Sequence, residues 1–131
     1  MTLLTILTSA ALAASPKAEI SSTLAAFNTA VAAGDADTAA QYLHADGVQV
    51  ILMPGGPMTV GTEGYLGLIR AGEIGGAPIS LNVGAVHVTG PVATASAVRL
   101  VGPFQLTDAI SLAKLDGGWQ IVAMSVAAEE R

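Results

Sequence analysis

"SLAKLDGGWQIV", residues 111–122, contains the only tryptophan of a 131-residue chain and two of its 15 glycines. It reads as strand, tight turn, strand, because Asp116-Gly117-Gly118 supplies the backbone freedom that a hairpin turn demands. Outward from it the same punctuation repeats. "ISLNVGAVHV" (79–88), "VATASAVRLV" (92–101), "FQLTDAISLAKL" (104–115) and "WQIVAMSVA" (119–127) are divided by Gly90-Pro91, Gly102-Pro103 and Asp116-Gly117-Gly118. The second half of the chain therefore predicts a four-stranded antiparallel meander, with residues 129–131 as a charged, solvated tail.

The first half is mixed. Ile20, Leu24, Phe27 and Val31 recur at i, i+4, i+7 and i+11, which makes one apolar stripe on a helix that starts near Lys17 and that Gly34 can end. Asp35 suits the N-cap of a second, short helix and Asp37 its first turn, where carboxylates meet the positive end of the dipole. That helix runs through "TAAQYL" to "HADG", where His44 would cap its last carbonyls. "VQVILM" (48–53), "PGGP" and "MTV" (58–60) form a hairpin, and "TEGYLGLIRAG" (62–72) a third helix with Thr62 as its N-cap. The loop "GEIGGAP" lacks the glycine and lysine spacing that cradles a phosphate. No repeat or linker divides residues 17–128, which form a single domain.

Composition excludes several functions. Five basic residues against ten acidic ones give a net charge of −5, and the basic ones are scattered, which opposes nucleic-acid binding. The absence of cysteine removes disulfides, thiolate catalysis and thiolate zinc sites. His44 and His87 stand in no metal-binding spacing, so neither a metal nor another cofactor is expected. Only 11% of residues are charged and 52% are hydrophobic, too little charge to cover a monomer's surface. A homodimer is therefore expected, formed through the sheet face that carries Thr94, Ser96, Val98, Leu100, Thr107 and Ser111.

"LLTILTSAALAA" (3–14) is an apolar run closing on an Ala-x-Ala pattern, as at a signal-peptidase site. It is too short to span a bilayer, and no other segment reads as transmembrane. Residues 1–16 thus read as a signal peptide, which implies an exported or periplasmic protein. The competing reading is a short buried N-terminal helix in a cytoplasmic one.

Helix, short helix, strand hairpin, helix and meander is the order of the NTF2-like α+β cone, in which about three N-terminal helices pack on a curved, mostly antiparallel sheet. "FNTAVAAGDADTAAQYLHADGVQV" (27–50) resembles that superfamily's first segment, and "TDAISLAKLDGGWQIV" (107–122) its closing hairpin. The hairpin looks most like the putative lumazine-binding branch, within the wider SnoaL-like group. The fold hosts isomerases, dehydratases, cyclases and binding modules, so the resemblance implies a fold more than a function. The ketosteroid-isomerase branch places a general-base aspartate near "QVILMPGG" (49–56); here that stretch has no acid or base, which opposes proton abstraction of that type.

One constellation of polar residues emerges from strand parity. With the turn centred on Pro103-Phe104, Arg99 lies opposite Asp108, on the face shared with Ala93, Ala95, Ala97, Leu106, Ile110 and Leu112. That apolar face should lie under the helices. The pair then either frames a pocket for a polar group, with Asp108 as the candidate acid, or satisfies itself as a structural ion pair in an apolar wall. Tyr42 and Tyr65 are candidate pocket hydroxyls, while His87 falls on the outer face. Trp119 should pack the closing hairpin against the helices, its indole N–H finding one acceptor. Three functions remain open: a binding protein with an apolar pocket for a small organic ligand, a metal-free acid–base enzyme using Asp108 with Arg99, or a non-catalytic dimeric interaction domain whose cone is filled by its own side chains.

Overall fold

The computed structural model describes residues 14–131, so the signal-peptide reading falls almost wholly outside the described residues. Helix α1 (Pro16–Ala32) opens at Ser15, whose hydroxyl accepts from the Ala18 amide at 3.2 Å. Its stripe of Ile20, Leu24, Phe27 and Val31 is buried, and Asn28 is buried beside it. Helix α2 (Ala36–Ala40) is capped as expected by Asp35, which accepts from the Thr38 amide at 3.1 Å and from its hydroxyl at 2.7 Å. These bonds, the hydroxyl's foremost, hold the Asp35 carboxyl below its ordinary range.

Strands β1 (Leu43–Met53) and β2 (Gly56–Gly61) make the first hairpin, and helix α3 (Thr62–Arg70) follows without a loop. After a connecting segment come β3 (Ser80–Thr89), β4 (Val92–Val101), β5 (Phe104–Leu115) and β6 (Gly118–Glu130). The six strands form one sheet in the order β2-β1-β6-β5-β4-β3, antiparallel throughout except where β1 runs parallel to β6. Register shifts in β3 near Gly84-Ala85 and between β5 and β6 at Ser111/Leu112 mark β-bulges, which add to the sheet's twist and curvature. The three helices close over one face. Leu66, Leu112 and Ile121 are almost fully buried there, each side chain worth about 1.5–3 kcal/mol relative to exposure.

Four local expectations are corrected. The helix α2 ends at Ala40, so "HADG" is already strand and His44 caps no helix; its Nδ1 instead accepts from the Asp46 amide at 3.1 Å. Thr62 is not the N-cap of α3. Gly61 holds that position in extended conformation, and the Thr62 hydroxyl donates to the His44 carbonyl at 2.6 Å, tying α3 to β1. Residues 129–131 are exposed, as a charged tail would be, but they are not unstructured: Glu129 and Glu130 prolong β6 against β5, and the Arg131 amide donates to the Pro103 carbonyl at 2.8 Å. The buried Trp119 packs as expected, but its indole N–H meets no acceptor among the described residues.

The β4–β5 register is also corrected. Val101 opposes Phe104, Ala97 opposes Asp108 and Arg99 opposes Leu106, so the turn is Gly102-Pro103. Gly102 takes φ +54°, the positive value that a two-residue hairpin turn requires at its first central position. The shift is two residues, which preserves parity. Every side chain therefore keeps its expected face, and Arg99 reaches Asp108 diagonally, a distance within a long side chain's range.

Candidate functional site

A cavity of about 490 Å³ opens between the concave sheet face and the helices. Its wall is drawn from seven elements and one connecting segment. Val31 arrives from the end of α1, Ile51 and Met53 from β1, Met58 from β2, Tyr65 and Leu68 from α3. Val101 and Arg99 come from β4, Phe104 and Leu106 from β5, Val126 and Ala128 from β6. The segment between α3 and β3 covers one side with Glu73, Ile74, Gly75 and Ile79.

That covering segment is fastened at three points. The Glu73 amide donates to the Leu68 carbonyl at 2.9 Å, and the Gly76 amide to the Val31 carbonyl at 3.1 Å. Farther on, Asn28 Nδ2 donates to the Ile79 carbonyl at 3.0 Å. Glycine is required at position 75 for a second reason besides its φ of +72°: a Cβ there would sit 2.0 Å from the Val31 carbonyl oxygen.

The polar part of the wall is built around Arg99. Its Nε donates to Asp108 Oδ2 at 2.6 Å and its Nη2 to Oδ1 at 2.9 Å, a bidentate pair with both side chains buried. Arg99 reaches the cavity, whereas Asp108 lies behind it, in a tightly packed pocket of core formed with Leu24, Phe27 and Asn28 of α1. Tyr65 stands on the cavity side of the pair, its ring stacked on Phe27 with centroids 6.2 Å apart. Burial pushes the Tyr65 phenol above its ordinary pKa, with the Arg99 charge opposing. Burial also works against the Arg99 charge, but the hydrogen bond and charge of Asp108 outweigh it, and the guanidinium stays protonated more firmly than in water.

Of the four side chains expected around a pocket, then, Arg99 and Tyr65 border the cavity, and Asp108 positions Arg99 from the rear. Tyr42 lies elsewhere, half-buried where its carbonyl accepts from the Ile121 amide at 2.8 Å. His87 pairs with Thr94 and is exposed on the outer face, as parity implies. An apolar pocket was among the expectations, but of the residues that line the cavity only Arg99 and Tyr65 were singled out. The one sequence signal of the remaining lining is the occurrence of Ile74 and Ile79 in an otherwise glycine-rich loop, where apolar residues need something to cover. Among the described residues no three His, Asp or Glu side chains gather as a metal-holding group.

The architecture is the NTF2-like α+β cone. A family model described as putative lumazine-binding matches residues 15–125, and the chain belongs to that family. Its fold is shared by an NTF2-like protein from Cytophaga hutchinsonii at TM-score 0.78 and 18% identity, with 88% of this chain and 100% of that one covered. An NTF2-like protein of unknown function from Shewanella baltica gives TM-score 0.76 at 16% identity, covering 86% and 93%. A ketosteroid isomerase-like protein from Erwinia carotovora atroseptica gives 0.71 at 18%, covering 87% and 96%. At these identities the likeness is one of fold. No curated protein sequence matches the chain.

Proposed function

We propose that this protein binds a small, mainly apolar organic molecule in the cone. The observation that carries the reading is the cavity itself: about 490 Å³ falls within the roughly 300–1,000 Å³ of small-molecule sites, and a cone filled by its own side chains would leave no such space. The polar groups at its wall are few and convergent, as in sites that orient a ligand. Acid–base catalysis has less support. Asp108 does not border the cavity and both its oxygens are held by Arg99, while the first hairpin presents only Ile51, Met53 and Met58. The family's description names lumazine, a bicyclic molecule with polar atoms around both rings. Against those, the described residues offer the cavity polar side chains from Tyr65, Glu73 and Arg99 alone, which favours a less polar ligand.

The test is native purification followed by mass spectrometry of released small molecules, with thermal-shift screening of the emptied protein. Apolar compounds should raise the melting temperature of the wild type and not of Ala128→Phe, which fills the cavity from β6. A screen in which both respond alike would refute the reading.

Two further readings go with it. Homodimerisation through the open sheet face is supported by its chemistry: from Val92 to Leu100, Gln105 to Ala113 and Ala123 to Ala127 the outward side chains include no charge, and Val48 and Leu52 of β1 are 43% and 49% exposed. Sedimentation at micromolar concentration should give a dimer, and Ala109→Lys, a charge at the middle of that face, a monomer. A monomeric wild type overturns this. Export rests on the run at 3–14 alone, and N-terminal sequencing of the mature protein should find Ala14 or a near neighbour first; a product retaining Met1 overturns it.

A further inference from the structure

Arg99 reaches the cavity with its charge already matched. Of the five N–H groups of a guanidinium, Nε–H and one on Nη2 are directed at Asp108. Tyr65 borders the same cavity as Arg99, close enough for its hydroxyl and the guanidinium to interact. A guanidinium has no acceptor, and a phenol oxygen next to a cation keeps its hydrogen for another partner. The polar corner of the cavity is therefore a cluster of donors with no net charge, and most of the rest of the lining is aliphatic or aromatic.

Resting on the binding reading above, we propose that the ligand is an uncharged, largely apolar molecule with one hydrogen-bond acceptor, a ketone or ester carbonyl, seated against Tyr65 and Arg99. A carboxylate at that corner would lose its hydration without gaining a free countercharge, since Asp108 already occupies it. The rim residue Glu73 and the net charge of −5 repel an anion further. A cation would face the donors of Arg99. An amphiphile with several polar groups would leave most of them against Val, Ile, Leu and Phe side chains. At the hairpin end of the cavity the wall is made by Met53 and Met58, unbranched side chains that adjust to the shape of an apolar body. Donors thus fix one end of the ligand, while the other end is accommodated loosely.

Three probes of one skeleton separate these chemistries: 2-acetylnaphthalene, 2-naphthoate and 2-ethylnaphthalene, titrated by calorimetry at neutral pH into protein freed of any co-purified molecule. The ketone should bind tighter than the hydrocarbon by about 3–10-fold, the worth of one net hydrogen bond, and the carboxylate should bind weakest. The carbonyl stretch of the bound ketone, read by infrared difference spectroscopy in the unmodified protein, should move to lower frequency. In Tyr65→Phe that shift should shrink and the ketone's advantage over the hydrocarbon should fall. A carboxylate that binds tightest, or a bound ketone with the stretch it has in an apolar solvent, overturns the proposed ligand class while leaving the cavity as a binding site. Binding of none of the three, or binding that survives Ala128→Phe, overturns the binding reading as well.

Discussion

Arg99→Met should lower the free energy of unfolding by about 3–5 kcal/mol, the cost of leaving a buried carboxylate without its partner. Asp108 is only 3% exposed and receives both of its charge-assisted bonds from that one side chain. Asp108→Asn should cost less, since the amide oxygen still accepts from Nε. In the double variant neither charge remains, and its loss should be smaller than the sum of the two single losses by about 1–3 kcal/mol of coupling. Arg99→Lys should rescue little, because an ammonium cannot reproduce the planar two-bond geometry. Urea unfolding of the four variants and the wild type measures all of this. Additive losses below about 1 kcal/mol each are the values of a solvated pair, and would refute the burial on which the donor cluster depends.

Gly75→Ala should detach the segment that covers the cavity. The conformational cost of alanine at φ +72° is about 1–2 kcal/mol by itself. The greater effect is steric: the new methyl would lie 2.0 Å from the Val31 carbonyl oxygen and 2.9 Å from its carbonyl carbon, and backbone atoms of a helix end cannot yield by that much. The segment must move, and the Gly76–Val31 hydrogen bond goes with it. Gly76→Ala is the matched control. It has the same φ of +72°, but a Cβ there meets nothing within 4 Å, so it carries the conformational cost without the collision. The expected result is loss of hydrogen-exchange protection at the amide of residue 76 and faster ligand release in Gly75→Ala, with both nearly unchanged in Gly76→Ala. Equal behaviour of the two would mean that the close approach to Val31 does not hold the cover in place.

The elements that sequence reading recovered are those whose signal is periodic and local. The stripe on α1, the Asp35 cap and the meander of β3 to β6 follow from spacing and turn residues alone. The placement of Arg99 and Asp108 on one inward face also followed from alternation, because parity survives a register error of two residues, and only the turn's dihedrals could reveal that error. What the sequence concealed depends on contacts between distant segments. His44 reads as a helix cap until the strand pairing of β1 with β6 draws its backbone into the sheet. Residues 129–131 read as a tail because charge suggests solvent, although the end of a strand can be exposed and hydrogen-bonded at once. The cavity is the extreme case. Its wall joins Val31 to Ala128, and beyond Ile74 and Ile79 in the glycine-rich loop no single stretch of the chain marks it.

The strand order imposes a sequence of events on synthesis. Of the six described strands β6 is made after the other five, yet it lies in the interior of the sheet, between β1 and β5. Until it emerges from the ribosome the sheet is split into the hairpin β1–β2 and the three-stranded β3–β4–β5. Neither can bury its apolar face against a completed sheet. Closure must join residues as far apart as Leu43 and Ile121, the kind of non-local pairing that slows folding. During elongation the cavity wall therefore lacks Val126 and Ala128, and the cavity closes only when β6 joins the two parts of the sheet.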